Sequence, residues 1–428
     1  MNPIFPLQYF IPDVEAHVWP DGRLYAYGSE DIGGNHDWCS HAYRVFSTED
    51  LFNWVDHGES FSSLGPAAQT PWFTGELYAP DCACKGEKYY LYFCQKDGTE
   101  GVAASDRPWG PFRYATTIPV AHKDGIDPAV LVDDDGQAYF YWGQGNLRGA
   151  RLMPDMRRID ESTLQRELLT EKEHGFHEGA CIRKRSGRYY LLYCDISRGK
   201  ATCLSYAVAD SPLGPFAKGG VVIDNDGCSP DNWNNHGSIV EFKGRWYVFY
   251  HRASQGGNFS RRACVEPIVF DEAGRIAEVE MTTQGVGGPI PATRVLEATR
   301  ACLLRGAVRS QMAGGDAAAG APEFLARIRP GDSAIYKYLS FQPSLRRFRA
   351  RVAAASHGGL IELRLGAAAG CLIGCCEVPH TGGWQAWREV ECPIEATDGV
   401  HALHLCFRQR DGHESGMQVC SLEQFSFA

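Results

Sequence analysis

Three carboxylic acids and a histidine occupy one recurrent position in this sequence. Asp13, Asp127 and Glu178 each stand nine residues before a glycine that opens a Gly-x-x-Tyr run, and His236 stands eight before another. Equal offsets in equivalent units put the four side chains at equivalent points of a repeated structure. Radial symmetry can bring such points together however far apart they lie in the chain. Converging carboxyls raise one another's pKa, so one can keep a proton while its neighbour stays ionised. Such a set can protonate a leaving group and take a proton from water, which is general acid–base chemistry. One acid of this kind is an ordinary turn residue; three at one offset mark a site.

The elements that must position them are legible in the same repeat. The runs begin at Gly22, Gly86, Gly136, Gly187 and Gly244, with spacings of 64, 50, 51 and 57 residues. Each reads as a strand, a tight glycine turn and a second strand rich in aromatic and aliphatic residues. Units of this length with several strands each suggest propeller blades, so the chain is expected to be all-β and to open with a five-bladed β-propeller. If the first strand of each unit is innermost, the four residues sit at one mouth of the central channel. The second unit differs: Leu77 holds the offset, and Asp81 follows four residues later. Glu161 to Glu173 is the best helical candidate. Gly110-Pro111 and Gly214-Pro215 read as blade turns.

The glycine-rich stretch 285–291 reads as a domain edge. Residues 1–292 form the expected propeller and 293–428 a second domain. There, Ile361/Leu363/Leu365, Leu403/Leu405/Phe407 and Phe425/Phe427 alternate as in a β-sandwich of jelly-roll type. Met312 to Ala321 is expected to be a loop. Trp384 and Trp387 are expected in the core.

Composition narrows the function. Lys and Arg number 42 against 52 Asp and Glu, a net charge of -10, which argues against nucleic acid as a partner. No apolar run approaches the ~20 residues of a membrane-spanning helix. The segment Met1 to Pro6 has neither the basic nor the apolar part of a secretory signal. With sixteen cysteines and no such signal, a cytoplasmic location with reduced thiols is expected. No Walker loop, G-x-S-x-G elbow or HExxH is present, and no dinucleotide motif leads into a helix. The sequence carries no signal of an oligomeric state.

Several stretches together resemble glycoside hydrolase family 43: Asp13 followed by Ala16-His17-Val18, Ile126-Asp127-Pro128-Ala129, Glu178-Gly179, Tyr78-Ala79-Pro80-Asp81, Asn235-His236-Gly237-Ser238 and Tyr250-His251-Arg252. The resemblance implies that Asp13 is the general base, with Glu15 a second carboxyl close by. It implies that Glu178 is the general acid and that Asp127 orients it and tunes its pKa. One carboxylic acid and one carboxylate are what glycosidic hydrolysis needs, and a Glu beside an anionic Asp keeps its proton nearer neutral pH. His236 resembles the family's channel histidine, which often lies beside a calcium ion bound largely through water; no cofactor is otherwise implied. Arg252 resembles a substrate-contacting arginine, and Trp72 could stack on a sugar ring. From about residue 295, the run Pro379 to Trp387 with Asp398-Gly399-Val400-His401 resembles family 6 carbohydrate-binding modules.

The implied function is that of an inverting exo-glycosidase acting on an oligosaccharide substrate. It would release terminal β-D-xylosyl or α-L-arabinofuranosyl residues from plant-derived oligosaccharides. The alternatives are a retaining fructan-type propeller hydrolase and a sugar-binding propeller with an inert pocket. Thiol titration of the denatured, unreduced protein is expected to count close to sixteen free thiols; a count short by four or more would reveal disulfides and overturn the cytoplasmic expectation.

Overall fold

The computed structural model describes residues 1–120, 125–314, 321–410 and 417–428. Its regular structure is almost all strand. Four consecutive strands pair antiparallel in chain order in each of four sheets. These run from Glu15–Val18 to Trp54–Ser62, Asp81–Lys85 to Arg113–Thr117, Ala129–Val132 to Gln165–Thr170, and Phe176–Arg185 to Ala217–Asp224. A fifth sheet holds Ser238–Phe242, Arg245–Ala253 and Arg261–Ile268. The first strand of each sheet packs beside the first strand of the next, and Ser238–Phe242 packs beside Glu15–Val18. Five blades therefore close around a channel, with the first strand of each innermost.

The Gly-x-x-Tyr runs become the second strands. Their glycines turn at φ between 64 and 80°, in the left-handed region where a side chain would be strained. The apolar residues in these strands do not alternate with polar ones, because both faces of a blade are buried. Successive side chains of a strand point to opposite faces. Tyr189, Leu191 and Tyr193 accordingly pack on the third blade, while Tyr190 and Leu192 pack on the fifth. One apolar cluster fills each gap between neighbouring blades, including the gap between the fifth and the first.

The chain's own beginning completes the fifth blade. The Ile4 amide donates to the Ala263 carbonyl at 3.0 Å, and the Asn2 amide to Thr283 at 2.9 Å. The buried Asn2 side chain donates to Val265 O, Glu266 Oε1 and Thr282 O and accepts from the Val265 amide. Residues 2–4 thus lie along the outer edge of the last blade.

The helix expected over Glu161 to Glu173 is not there. A 3₁₀ turn at Glu161–Thr163 leads into strand Gln165–Thr170, and only Glu171–His174 is helical. The open edge of the third blade offers this segment a ladder of backbone partners, and that tertiary pairing overrides the good helix propensity of its Glu, Leu, Gln, Arg and Lys residues. Gly110-Pro111 and Gly214-Pro215 do turn the chain between third and fourth strands.

From Ile290 the chain builds two six-stranded sheets packed face to face over Ile361, Leu363, Leu403, Leu405, Phe407, Phe348 and Phe425. Met312, expected in a loop, ends strand Arg309–Met312, and residues 315–320 of that loop lie outside the described residues. The two tryptophans expected in the core are not in it. Trp384 is exposed, and Trp387 is half-buried, lying edge-on to Phe324. Their segment lies between strands, beyond the alternation that aims side chains inward. The sandwich is docked firmly on the propeller. Cys302 and Ile335 join the cluster between the fourth and fifth blades, and a buried ion pair joins Arg262 to Glu323 at 2.7 Å.

Ring closure is sensitive to pH through Glu266. Burial pushes its carboxyl up to about 7, against the hydrogen bonds it accepts from Thr282 and Tyr250. A carboxyl raised in the fold gives stability that is present below its unfolded value and is lost as pH rises through its folded one. The thermal midpoint of Glu266→Gln is therefore expected to fall less between about pH 5 and pH 8 than that of the parent. Parallel profiles would contradict this.

Candidate active site

A pocket of 740 Å³ opens at the channel end where the first strands begin, and Asp13, Asp127, Glu178 and His236 all line it. They come from four different blades. Asp13 and Asp127 lie two residues before the first strands of blades one and three, and both have φ of 54°. A left-handed residue with a side chain costs ~1–2 kcal/mol, so two blades hold the same strained backbone at the same place. Strain of this kind concentrates at working sites.

Glu178 is placed differently, within strand Phe176–Arg185. The pairing register slips on both sides of it, which marks a bulge. The next residue, Gly179, sits at φ 64°, and a Cβ there would meet the His236 ring at 3.2 Å. A glycine is therefore needed to turn Glu178 towards the pocket. The Gly179 amide donates to Asp127 Oδ2 at 3.0 Å, so the bulge of blade four also fixes the acid of blade three. Glu178 Oε2 accepts from Gln144 Nε2 at 2.7 Å.

The carboxyls have opposite electrostatic surroundings. Asp13 Oδ1 accepts from Arg261 Nη1 at 2.8 Å, with His251 Nδ1 at 3.4 Å, while Oδ2 accepts from Ser29 Oγ at 2.6 Å. Burial alone would push the Asp13 carboxyl up. Arg261, His251 and His236 overturn this and hold it far below the usual carboxylate range. Among the described residues no Lys or Arg bonds Asp127. Burial, then the charges of Glu178 and Asp13, push its carboxyl well up. The sequence reading had Asp127 anionic beside a protonated Glu178. In the structure burial drives the Asp127 carboxyl towards its protonated form instead. His236 lies between the acids, its Nδ1 3.8 Å from Asp127 and 4.0 Å from Asp13, and burial pushes its pKa down.

Two expected site residues are elsewhere. Arg252 is buried away from the pocket, donating from Nε to Cys264 Sγ and from Nη1 to the Ala301 carbonyl at the sandwich interface. Strand parity explains this: neighbours point to opposite faces, and it is His251 that faces Asp13. The arginine of the site is Arg261. Trp72 is 46% exposed and does not line the pocket. Its walls carry Trp38, Tyr78 and Trp233 instead, with Gln144 and His177 beside Glu178. A topological rule would have found Arg261. In an antiparallel blade the third strand starts at the same end as the first, and Arg261 opens the third strand of blade five. Asp81 is structural, its carboxylate accepting from the Cys82 and Val130 amides and meeting His17 Nε2 at 2.7 Å.

Calcium takes six to eight oxygen ligands. Around His236 the near carboxylate oxygens are Asp13 Oδ1, already held by Arg261, and Asp127 Oδ2, already held by Gly179. The described residues offer one other cluster, Glu15, His17 and Asp81. There Arg183 already pairs with Glu15 at 2.9 Å and the Asp81 oxygens are engaged. Neither set offers a cage of protein oxygens, so a calcium ion beside His236 would have to be held largely through water.

A five-bladed propeller with carboxyls from separate blades gathered at one mouth is the architecture of a glycoside-cleaving enzyme. The model of "Glycosyl hydrolases family 43" matches residues 1–276, and that of "Carbohydrate binding module (family 6)" matches residues 314–428. The chain belongs to family 43 and is a glycoside hydrolase. A xylosidase/arabinosidase of Thermoclostridium stercorarium is 29% identical over 95% of this chain and 96% of its own length. An arabinoxylan arabinofuranohydrolase of Bacillus subtilis is 30% identical over 92% of this chain and 88% of its own. Among solved structures, a family 43 arabinoxylan arabinofuranohydrolase from Bacillus subtilis, in complex with cellotetraose, covers 100% of this chain and 97% of its own, with 27% identity and a TM-score of 0.57. A β-xylosidase/α-arabinofuranosidase from a compost microbial metagenome, described with xylotriose in a calcium-free form, covers 65% of this chain and 97% of its own, with 31% identity and a TM-score of 0.56.

The raised carboxyl of Asp127 has a measurable cost. Its stability contribution is present below the unfolded value of about 3.9 and is lost as pH rises through the folded one. Asp127→Asn is expected to melt higher than the parent at pH 7, with the gain vanishing below about pH 4, while glycosidase activity falls. A variant less stable than the parent at pH 7 would contradict this account.

Proposed function

We propose that this chain is an inverting exo-glycosidase that removes terminal pentoses, β-D-xylosyl or α-L-arabinofuranosyl, from plant-derived oligosaccharides. One observation carries the reading: Asp13 and Glu178, from blades one and four, line a single pocket together with Asp127. Asp13 is the general base. Its bound donors keep it ionised, and it takes a proton from the water that attacks the anomeric carbon. Glu178 is the general acid and gives its proton to the departing glycosidic oxygen. Asp127 orients it through the Gly179 amide. Trp38, Tyr78 and Trp233 give the pocket flat apolar walls suited to sugar faces. The names of the relatives, xylosidase/arabinosidase and arabinoxylan arabinofuranohydrolase, support the pentose. Sixteen unpaired thiols support a cytoplasmic site of action.

A hydrolysis screen is expected to show turnover of nitrophenyl β-xyloside or α-L-arabinofuranoside and not of the glucoside or galactoside. Proton NMR of the first minutes should show product with the anomeric configuration opposite to the substrate. Product that first keeps the substrate's configuration would make Asp13 a nucleophile. Glu178→Ala should lose natural-substrate activity by at least ~100-fold and lose much less on a glycoside with an acidic phenol, which departs without a proton. Equal losses on both would remove Glu178 from the acid's role.

A further inference from the structure

Arg261 reaches Asp13 through one nitrogen, and a long flexible side chain is not fixed by one bond. Its other nitrogens are held chiefly by Asp31, with Nη2 also donating to Cys39 Sγ at 3.4 Å and the guanidinium lying over the Trp38 ring at 4.8 Å. Asp31 Oδ2 accepts from the Arg261 amide and from Nε, both at 2.9 Å, and Oδ1 accepts from Nη2 at 2.9 Å. Asp31 Oδ1 also accepts from the Cys39 amide at 3.1 Å, and the Asp31 amide donates to the Phe10 carbonyl at 2.8 Å. Asp31 is thus anchored on its own side, and the planar fork of Arg261 is gripped along one edge. Nη1 faces the site, 2.8 Å from Asp13. The side chains of Asp31, Arg261 and Asp13 are 0, 3 and 4% exposed. Asp31 does not line the catalytic pocket; it borders a separate cavity behind it.

We propose that Asp31 is a positioning residue of the hydrolytic site, clamping Arg261 so that its Nη1 fixes the orientation of Asp13. Asp31 touches neither water nor sugar and acts only through Arg261. The proposal rests on the reading of Asp13 as the general base. A base displaced by about 1 Å can lose ~100-fold in rate, while the walls at Tyr78 and Trp233 stay in place and only Trp38 lies against the guanidinium.

The test compares Asp31→Ala, Asp13→Ala and the double variant on an aryl pentoside that the parent hydrolyses. Asp31→Ala is expected to lower kcat at least ~100-fold and to change KM less than about threefold. In the Asp13→Ala background the further loss should vanish, as for residues acting in one chain. Azide added to the base-deleted enzyme attacks the anomeric carbon as the phenol leaves, giving the glycosyl azide without a base. That turnover should be equal in Asp13→Ala and in the double variant. Azide turnover that falls in the double variant, or Asp31→Ala with kcat within threefold of the parent, would overturn the proposal. If Asp31→Ala does not fold, Asp31→Asn takes its place in both tests with the same expected pattern. It keeps the shape and turns one acceptor into a donor facing Arg261. An undiminished Asp13→Ala enzyme would overturn the role of Asp13 itself, a result distinct from the others.

Discussion

Both faces of every blade are apolar, and this constraint organises the molecule. A sheet with one apolar face can pair with a single partner. A sheet with two must be covered on both sides, and a series of such sheets finds its last partner only by returning to the first. The second strands carry the message, because neighbours such as Tyr189 and Tyr190 are buried in different gaps. Ring closure then fixes where the first strands begin, and those beginnings are the rim of the pocket.

The rim concentrates negative charge, and the molecule treats each carboxyl differently. Asp13 is surrounded by Arg261, His251 and Ser29 and is held as an anion. Asp127 has one backbone amide and, among the described residues, no Lys or Arg partner, and is driven towards a proton. Glu178 stands half-open beside Gln144. Carboxyls in environments that push their protonation apart are how one site supplies both an acid and a base. Two of them sit on left-handed backbones and the third on a bulge, so the convergence is achieved at the expense of regular strand geometry.

Much of this was legible in the sequence, for reasons that also explain the misses. A glycine turn is a local signal, and counting back from it finds the rim as long as the intervening strand is regular. That worked for Asp13, Asp127 and His236, which all lie two residues before a strand. Glu178 kept the offset although it lies inside a strand, because the bulge absorbs the difference. Arg252 was misplaced by one residue of parity, which no offset records, and Arg261 was missed because no glycine precedes it at a fixed distance. Trp72 and Trp384 show that an aromatic residue in a loop has no periodicity to say which way it faces.

The latch of residues 2–4 against residues 263–283 has a consequence for the order of events in synthesis. A segment made before all five blades is used last. Until the fifth blade has been made, the first blade's apolar face at Ile11, Leu24 and Phe46 has no partner. The ring's most distant contact in sequence is thus also its final one, which puts a slow, long-range step late in folding. A nascent chain stalled before that point would expose two sticky faces, one at each end of an open arc of blades.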